Sequence, residues 1–177
     1  MYKNNKISVS IPAYNEEKYI IETIKGLPEF VDFIVVANDC SKDQTAKLVE
    51  EYSKQDSRVT LINLEKNAGG PGLPIQIAHE RGIEFGADIL VVVNGDNQMD
   101  PSYLSSLLDK VIDDDFDYAK GNRFFHLKNL KQMPKVRIVG NVFVSFLNKF
   151  CTGYWSISDP LNGYTAIKVQ TYKILDQ

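Results

Sequence analysis

The first hundred residues switch repeatedly between two hydrophobic periods. Lys6–Ile11 (KISVSI) is a short run of strand formers that ends at Pro12. Glu16–Leu27 then carries Ile20, Ile21, Ile24 and Leu27 at helical spacing. Phe33–Ala37 (FIVVA) is apolar at every position, as a strand buried on both faces requires. Ser41-Lys42-Asp43-Gln44 fits a capping box that opens a helix through Ala46, Leu48, Val49 and Tyr52. Val59–Leu64 predicts a third strand, Pro74–Phe85 a third helix, and Asp88–Val93 (DILVVV) a fourth strand, the most buried. Asp100-Pro101 reads as an N-cap followed by proline at the first helical position. Tyr103, Leu104, Leu107, Leu108 and Val111 then form one apolar face.

This β-α alternation over about 110 residues predicts an α/β fold, a mostly parallel sheet with helices on both faces. Ligands of such sheets bind beyond the carboxyl ends of the strands. The segments to inspect are therefore Pro12–Glu16, Asn38–Asp43, Glu65–Gly72 and Asn94–Asp100, all rich in Asn, Asp, Gly or Ser. After residue 117 the pattern changes. Tyr118–Pro134 reads as a strand and a basic loop. Lys135–Phe150 reads as a helix with Val139, Val142, Phe143, Phe146, Leu147 and Phe150 on one stripe, for which core packing is the favoured reading. Ser158–Tyr164 is a polar turn and Thr165–Val169 a further strand.

Length and composition fit one ordinary globular domain of 177 residues, or a domain plus a fragment. No apolar run exceeds the length of Ile89–Val93, which is too short to span a bilayer, and no basic-then-apolar leader is visible. Two cysteines, Cys40 and Cys151, fit a reducing compartment. The net charge of −3 gives no nucleic-acid footprint but hides an asymmetry. From Tyr118 to Ser158 there is no Asp or Glu, while Lys120, Arg123, Lys128, Lys131, Lys135, Arg137 and Lys149 carry +7, so the remainder carries −10. Such a stretch is either a solvated face or faces an anion.

Four loops carry the candidate chemistry. Asn94-Gly95-Asp96-Asn97-Gln98 offers a carboxylate flanked by amide oxygens at the mouth of a buried strand. Asp96 and Gln98 can therefore hold a hard cation that takes its other ligands from phosphate and water. Asp39, in Asn38-Asp39-Cys40-Ser41, can accept from a nucleobase N–H. Tyr14, in Pro12-Ala13-Tyr14-Asn15-Glu16-Glu17, can stack on a base or pack at a domain edge. Asn67-Ala68-Gly69-Gly70-Pro71-Gly72 matches neither dinucleotide nor Walker phosphate loops; it permits close backbone approach by a ligand or merely a tight turn, the turn being the preferred reading. His79 and His126 stand isolated, and the acidic group Asp113, Asp114, Asp115 and Asp117 reads as a solvated helix end.

In order and spacing these loops resemble the family 2 glycosyltransferases. Lys120-Gly121-Asn122-Arg123 and Ser158-Asp159-Pro160-Leu161-Asn162-Gly163-Tyr164 resemble the branch that contains dolichol-phosphate mannose synthase. The resemblance implies a GT-A fold with its C-terminal part cut short, 1–117 being the nucleotide-sugar part and 118–177 a partial acceptor part. It implies inverting transfer from a UDP- or GDP-sugar with Mg²⁺ or Mn²⁺. Pro12, Tyr14, Asn15 and Glu16 would line the nucleotide site, and Asp39 would contact the base. Asp96 and Gln98 would hold metal and diphosphate, Arg123 would contact the diphosphate, and Asp159 would approach the acceptor. Two positions depart from the family pattern. The Asp-x-Asp motif is Asn94-Gly95-Asp96, where Asn94 ligates weakly or contacts ribose, and the paired acids after the second strand are Asn38-Asp39.

A sugar-hydroxyl acceptor needs a general base, for which Asp159 is the candidate; a polyprenyl phosphate is already anionic and needs none. The basic stretch beside an apolar stripe favours the polyprenyl phosphate, and with it a cytoplasmic protein at the inner face of a membrane. A non-catalytic nucleotide-sugar-binding module is the rival from another class, suggested by Asn94 and Asn38. A sugar nucleotidyltransferase ranks lower, because Pro12–Glu17 contains no glycine. Donor identity, acceptor identity and oligomeric state are not readable from the sequence.

Overall fold

A computed structural model describes residues 1–122, 135–153, 155, 159 and 162–175. The elements are β1 Ile7–Ala13, α1 Ile20–Gly26, β2 Phe33–Asn38, α2 Thr45–Ser53, β3 Val59–Asn63, α3 Gly72–Glu84 and β4 Ile89–Val92. A 3₁₀ turn, Pro101–Tyr103, leads into α4 Leu104–Ile112, then β5 Tyr118–Lys120. In the remainder lie α5 Lys135–Thr152, β6 Thr165–Lys168 and α6 Val169–Leu175. Two compact units result, Met1–Ala119 with Tyr164–Gln177, and Lys120–Gly163.

The sheet order is β3-β2-β1-β4-β6-β5. β1 pairs in parallel with β2 and β4, and β2 with β3, whereas β6 runs antiparallel to β4. The alternation of side chains along the strands sorts the two faces. Ile7, Val9, Ile11, Ile34, Val36, Ile89 and Val91 meet Ile20, Ile24, Val49, Leu104, Leu108 and Val111 in the main core. On the opposite face Val35 and Ala37 meet Ala78 of α3, while Leu90 and Ile167 meet Val169 and Tyr172. Helices thus cover both faces of the strands, as the continuous apolar runs require.

Between Val9 and its neighbours, Ser8 and Ser10 turn small polar side chains toward α3. A Cβ on Gly82 would lie 2.4 Å from Ser8 Oγ and 2.8 Å from Ser8 Cβ, so helix and strand meet at glycine. Ser8 Oγ is buried with no hydrogen-bond partner among the described residues. Ser10 Oγ instead shares a 2.7 Å hydrogen bond with Nδ1 of buried His79, whose ring meets Tyr172 edge-on at 5.2 Å. Burial pushes the His79 ring down to about 4 from its ordinary 6.5. The unfolded chain therefore binds a proton that the fold refuses. The stability contributed by neutral His79 is complete above pH 6.5 and is lost as pH falls toward 4, by roughly 3 kcal/mol. Urea denaturation across that window is expected to show this slope, and a His79→Leu variant to lack it. Equal slopes in the two proteins would mean that the ring charges freely in the fold.

Three sequence expectations change. Ser41 does not cap a helix: α2 begins at Thr45, and Ser41 Oγ accepts a hydrogen bond from Asn15 N–H instead. α1 begins at Ile20 rather than Glu16, because the Glu16 carbonyl closes a turn by accepting from Tyr19 and Ile20. The apolar stripe of α5 is not core: Val142, Phe143, Phe146, Leu147 and Phe150 are all exposed, Phe150 at 72%. Asp100 does act as an N-cap, its Oδ1 accepting from Ser102 N–H at 2.9 Å. Among the described residues no helix is long and apolar enough to cross a membrane.

Candidate functional site

The site is built by loops that leave the carboxyl ends of β1, β2 and β4. Since β1 lies between the other two strands, its loop is the one both neighbours can grip. Ala13 C=O accepts from Asp39 N–H at 2.8 Å, tying the two strand ends together. Beyond that point a polar clasp forms. Backbone N–H groups of Asn15, Glu16 and Glu17 donate to Ser41 Oγ, Thr45 Oγ1 and Asp43 Oδ2. In return Lys42 N–H donates to Asn15 Oδ1 and Gln44 N–H to Glu17 Oε2. Burial raises the Asp43 carboxyl, but hydrogen bonds from Thr45 and Glu17 outweigh it and hold the group below its usual range. Asn15 and Cys40 both sit at φ +57°, a left-handed conformation costly for a side-chain-bearing residue, which the clasp sustains.

The acidic loop after β4 is fixed from two sides. Thr23 Oγ1 on α1 donates to Gly95 C=O at 3.2 Å. A Cβ on Gly95 would lie 3.3 Å from both Glu16 Cγ and Ile20 Cδ1, so glycine lets this loop press against the β1 loop. Gln98 N–H donates to Asp96 Oδ1 at 3.1 Å, with Asn97 at φ +56° between them. The Glu16 carboxyl is raised by burial first, then by the charges of Asp96 and Asp43. Two carboxylates thus repel one another in one recess.

These loops enclose a cleft of about 430 Å³. Its walls include Pro12, Tyr14, Glu16, Asp39, Asn94 and Asp96, which gathers six of the residues singled out in the sequence. Asn15 is turned away into the clasp. Gln98 is exposed on the acidic loop and is not part of the cleft wall. Arg123 lies outside the described residues. Asp159 is buried within the Lys120–Gly163 unit, where its carbonyl accepts from Asn162 N–H at 3.3 Å.

Asn67, Gly69, Gly70, Pro71 and Pro74 form a further wall, so the glycine-rich segment, singled out by its place beyond β3 but read by preference as a tight turn, borders the site. Asn38 also acquires a reason. Its Nδ2 donates to Asn63 Oδ1 at 2.8 Å and its Oδ1 accepts from Ser41 N–H at 3.2 Å, so an amide satisfies both neighbours where a carboxylate would oppose Asn63 Oδ1.

The donor chemistry of the acidic loop suits a hard cation in one way only. Among the described residues no three His, Cys, Asp or Glu converge, so these residues form no closed protein cage. One carboxylate, Asp96, with the amides of Asn94 and Gln98 nearby, fits an ion that shares its shell with phosphate and water. The neighbouring negative charge of Glu16 adds attraction for such an ion.

A family model described as glycosyl transferase family 2 matches residues 8–174. The chain belongs to glycosyl transferase family 2. A family relative, the UDP-N-acetylglucosamine–dolichyl-phosphate N-acetylglucosaminyltransferase of Methanococcus voltae, is 33% identical over 184 residues, covering 97% of this chain and 72% of the relative. Among solved structures, the mannosyltransferase PcManGT of Pyrobaculum calidifontis, in complex with GDP-Man and Mn²⁺, matches with TM-score 0.68 at 16% identity. That match covers 98% of this chain and 47% of the other. Glucosyl-3-phosphoglycerate synthase of Mycobacterium tuberculosis, in complex with Mn²⁺, UDP and glucosyl-3-phosphoglycerate, matches with TM-score 0.62 at 20% identity, over 93% of this chain and 57% of the other. The fold is therefore GT-A, and the chain spans about half the length of these solved structures.

Proposed function

We propose that this family 2 chain binds a nucleotide-sugar donor for inverting transfer to a polyprenyl phosphate or a growing glycan. The observation that carries the reading is one cleft bounded by Asp39 on the β2 side of β1 and Asp96 on the β4 side. That separation suits a ligand with a hydrogen-bonding ring at one end and a diphosphate at the other. Tyr14, 46% exposed at the rim, offers a face for the base. Pro12 and Glu16 flank the nucleoside, and Asn94 contributes an uncharged amide toward ribose or cation. Asp96, with Gln98 on the same loop, holds Mg²⁺ or Mn²⁺. When bound, that ion offsets the charge gathering on the departing nucleoside diphosphate. The Mn²⁺ complexes of the two structural neighbours support this choice of cofactor.

Residues 1–117 form the donor part and residues 118–177 contribute to the acceptor side. Arg123 supplies positive charge to the diphosphate. Asp159 is the general base if the acceptor is a sugar hydroxyl, and a positioning group if it is a lipid phosphate. The dolichyl-phosphate acceptor in the name of the Methanococcus relative supports the second case. So do the exposed Phe143, Phe146 and Phe150 on a helix without a single acidic residue. Vesicles containing anionic lipid are expected to sediment the protein, and high salt to release it. Equal sedimentation with and without vesicles would remove the membrane from this reading.

Asn94 favours a second reading, a nucleotide-sugar-binding module without turnover. Calorimetry with UDP- and GDP-sugars plus Mn²⁺, run beside a donor-turnover assay, separates the two. Binding with turnover supports the enzyme, binding alone the module, and no binding refutes both.

A further inference from the structure

We propose that Met99 is a positioning residue for the candidate cation site, its thioether sulfur fastening the loop that presents Asp96; the inference rests on the nucleotide-sugar reading above. Where β4 leaves the sheet, Val93 N–H still donates to Ser10 C=O of β1 at 3.1 Å. On its other side, among the described residues, β4 pairs with β6 only as far as Val92, opposite Thr165. The next amide, that of half-buried Asn94, lies beyond both ladders and needs another acceptor. Met99 Sδ supplies it at 3.4 Å. This bond closes residues 94–99 into a loop. Thr23 Oγ1 pins that loop from outside at Gly95 C=O, and Asp96 Oδ1 accepts Gln98 N–H within it.

Met99 joins two roles in one side chain. It packs against the main core, which an apolar residue of similar volume can also do. Its sulfur, a weak acceptor on a flexible stem, meets the amide at the entry of the loop, which leucine cannot do. Asn94 and Asp96 both line the cleft and both lie inside the segment that this bond closes. Without the acceptor, the Asn94 amide turns toward water and the Asp96 carboxylate loses its fixed aim. Groups one step removed from a metal typically change its affinity by roughly 10–100-fold, and a single weak bond places Met99 at the lower end. Asp100, next in the chain, is tied separately to Ser102 N–H, so opening residues 94–99 leaves the approach to α4 in place.

The test uses two substitutions that separate these roles. Mn²⁺ is titrated calorimetrically into the protein in the presence of UDP, and separately of GDP, and urea midpoints are taken on the same samples. Met99→Leu keeps the volume and removes the acceptor, so Mn²⁺ affinity is expected to fall roughly 10-fold with little change in the midpoint. Met99→Gln sets an amide oxygen at similar reach but places a polar group against the core. Its Mn²⁺ affinity is expected to return to within about threefold of the unsubstituted protein, while its midpoint falls. A merely structural role would make affinity follow stability, with Met99→Gln the weaker binder. The Asn94 amide is also expected to exchange hydrogen faster in Met99→Leu than in the unsubstituted protein. Unchanged Mn²⁺ affinity in Met99→Leu overturns the proposal, as does equal weakening in both variants. Should Met99→Gln not fold, the Met99→Leu affinity and amide exchange decide alone. If the unsubstituted protein binds nucleotide but no Mn²⁺, the cation site is wrong; if it binds neither, the nucleotide-sugar reading fails. The proposal falls with either.

Discussion

Asp96→Ala is expected to lower sugar transfer by roughly 10²–10³-fold, the scale at which an enzyme loses one group that stabilises transition-state charge. The reason lies in the inventory of the acidic loop. Asn94 is neutral and Gln98 is exposed off the cleft wall, so in the proposed site Asp96 would be the loop's one negatively charged ligand to the cation. Glu16 stands close enough to feel its charge, but burial works against keeping Glu16 ionised. A thermal-shift panel of UDP- and GDP-sugars with Mg²⁺ or Mn²⁺ isolates the effect without needing an acceptor. The shift added by the cation over nucleotide alone is expected to vanish in Asp96→Ala, while the nucleotide's own shift persists. A cation-dependent shift that survives the substitution unchanged would take Asp96 out of the metal site.

Gly82→Val is expected to cost roughly 3 kcal/mol of stability, at the upper end of core overpacking. The first added carbon alone would meet Ser8 Oγ at 2.4 Å, Ser8 Cβ at 2.8 Å and Leu90 Cδ2 at 3.3 Å. Ser8 Cβ is fixed by the strand backbone and cannot swing aside, so α3 must lift from β1. Lifting it also disturbs Pro74 at the cleft wall, which links this packing contact to nucleotide affinity. Removing the opposing side chain supplies the control. Gly82→Ala combined with Ser8→Gly is expected to be less damaging than the two single changes added together, by about 1 kcal/mol or more. Ser8→Ala alone is expected to be neutral or stabilising by up to about 1 kcal/mol, since it deletes a buried hydroxyl that has no partner among the described residues. Urea midpoints at constant slope report all of these. A Gly82→Val midpoint equal to that of the unsubstituted chain would show that helix and strand do not touch there.

The sheet and its helices were legible because buried parallel strands leave runs such as Phe33–Ala37 and Ile89–Val93, and α4 leaves a clean apolar stripe. Six cleft residues were legible for a related reason: strand ends tell where ligands bind. What escaped depended on partners far along the chain. Ser41 looked like a helix cap because only its neighbours were visible, whereas its partner is Asn15, 26 residues earlier. His79 looked isolated until α3 brought it onto Ser10, 69 residues away. β6 reaches the sheet antiparallel between β4 and β5, an order that no local period encodes. The α5 stripe has helical spacing whether it faces protein, lipid or water, and spacing alone could not choose.

The clasp between the first two loops also bears on how this scaffold can be re-engineered. Residues 15–17 offer their amides to side chains at 41, 43 and 45, and take amides from 42 and 44 in return. A graft of either loop from another family member would strip partners from the one left behind. The pair is therefore a single transplantable cassette, and chimeras intended to exchange donor preference should carry residues 13–17 and 38–45 across together.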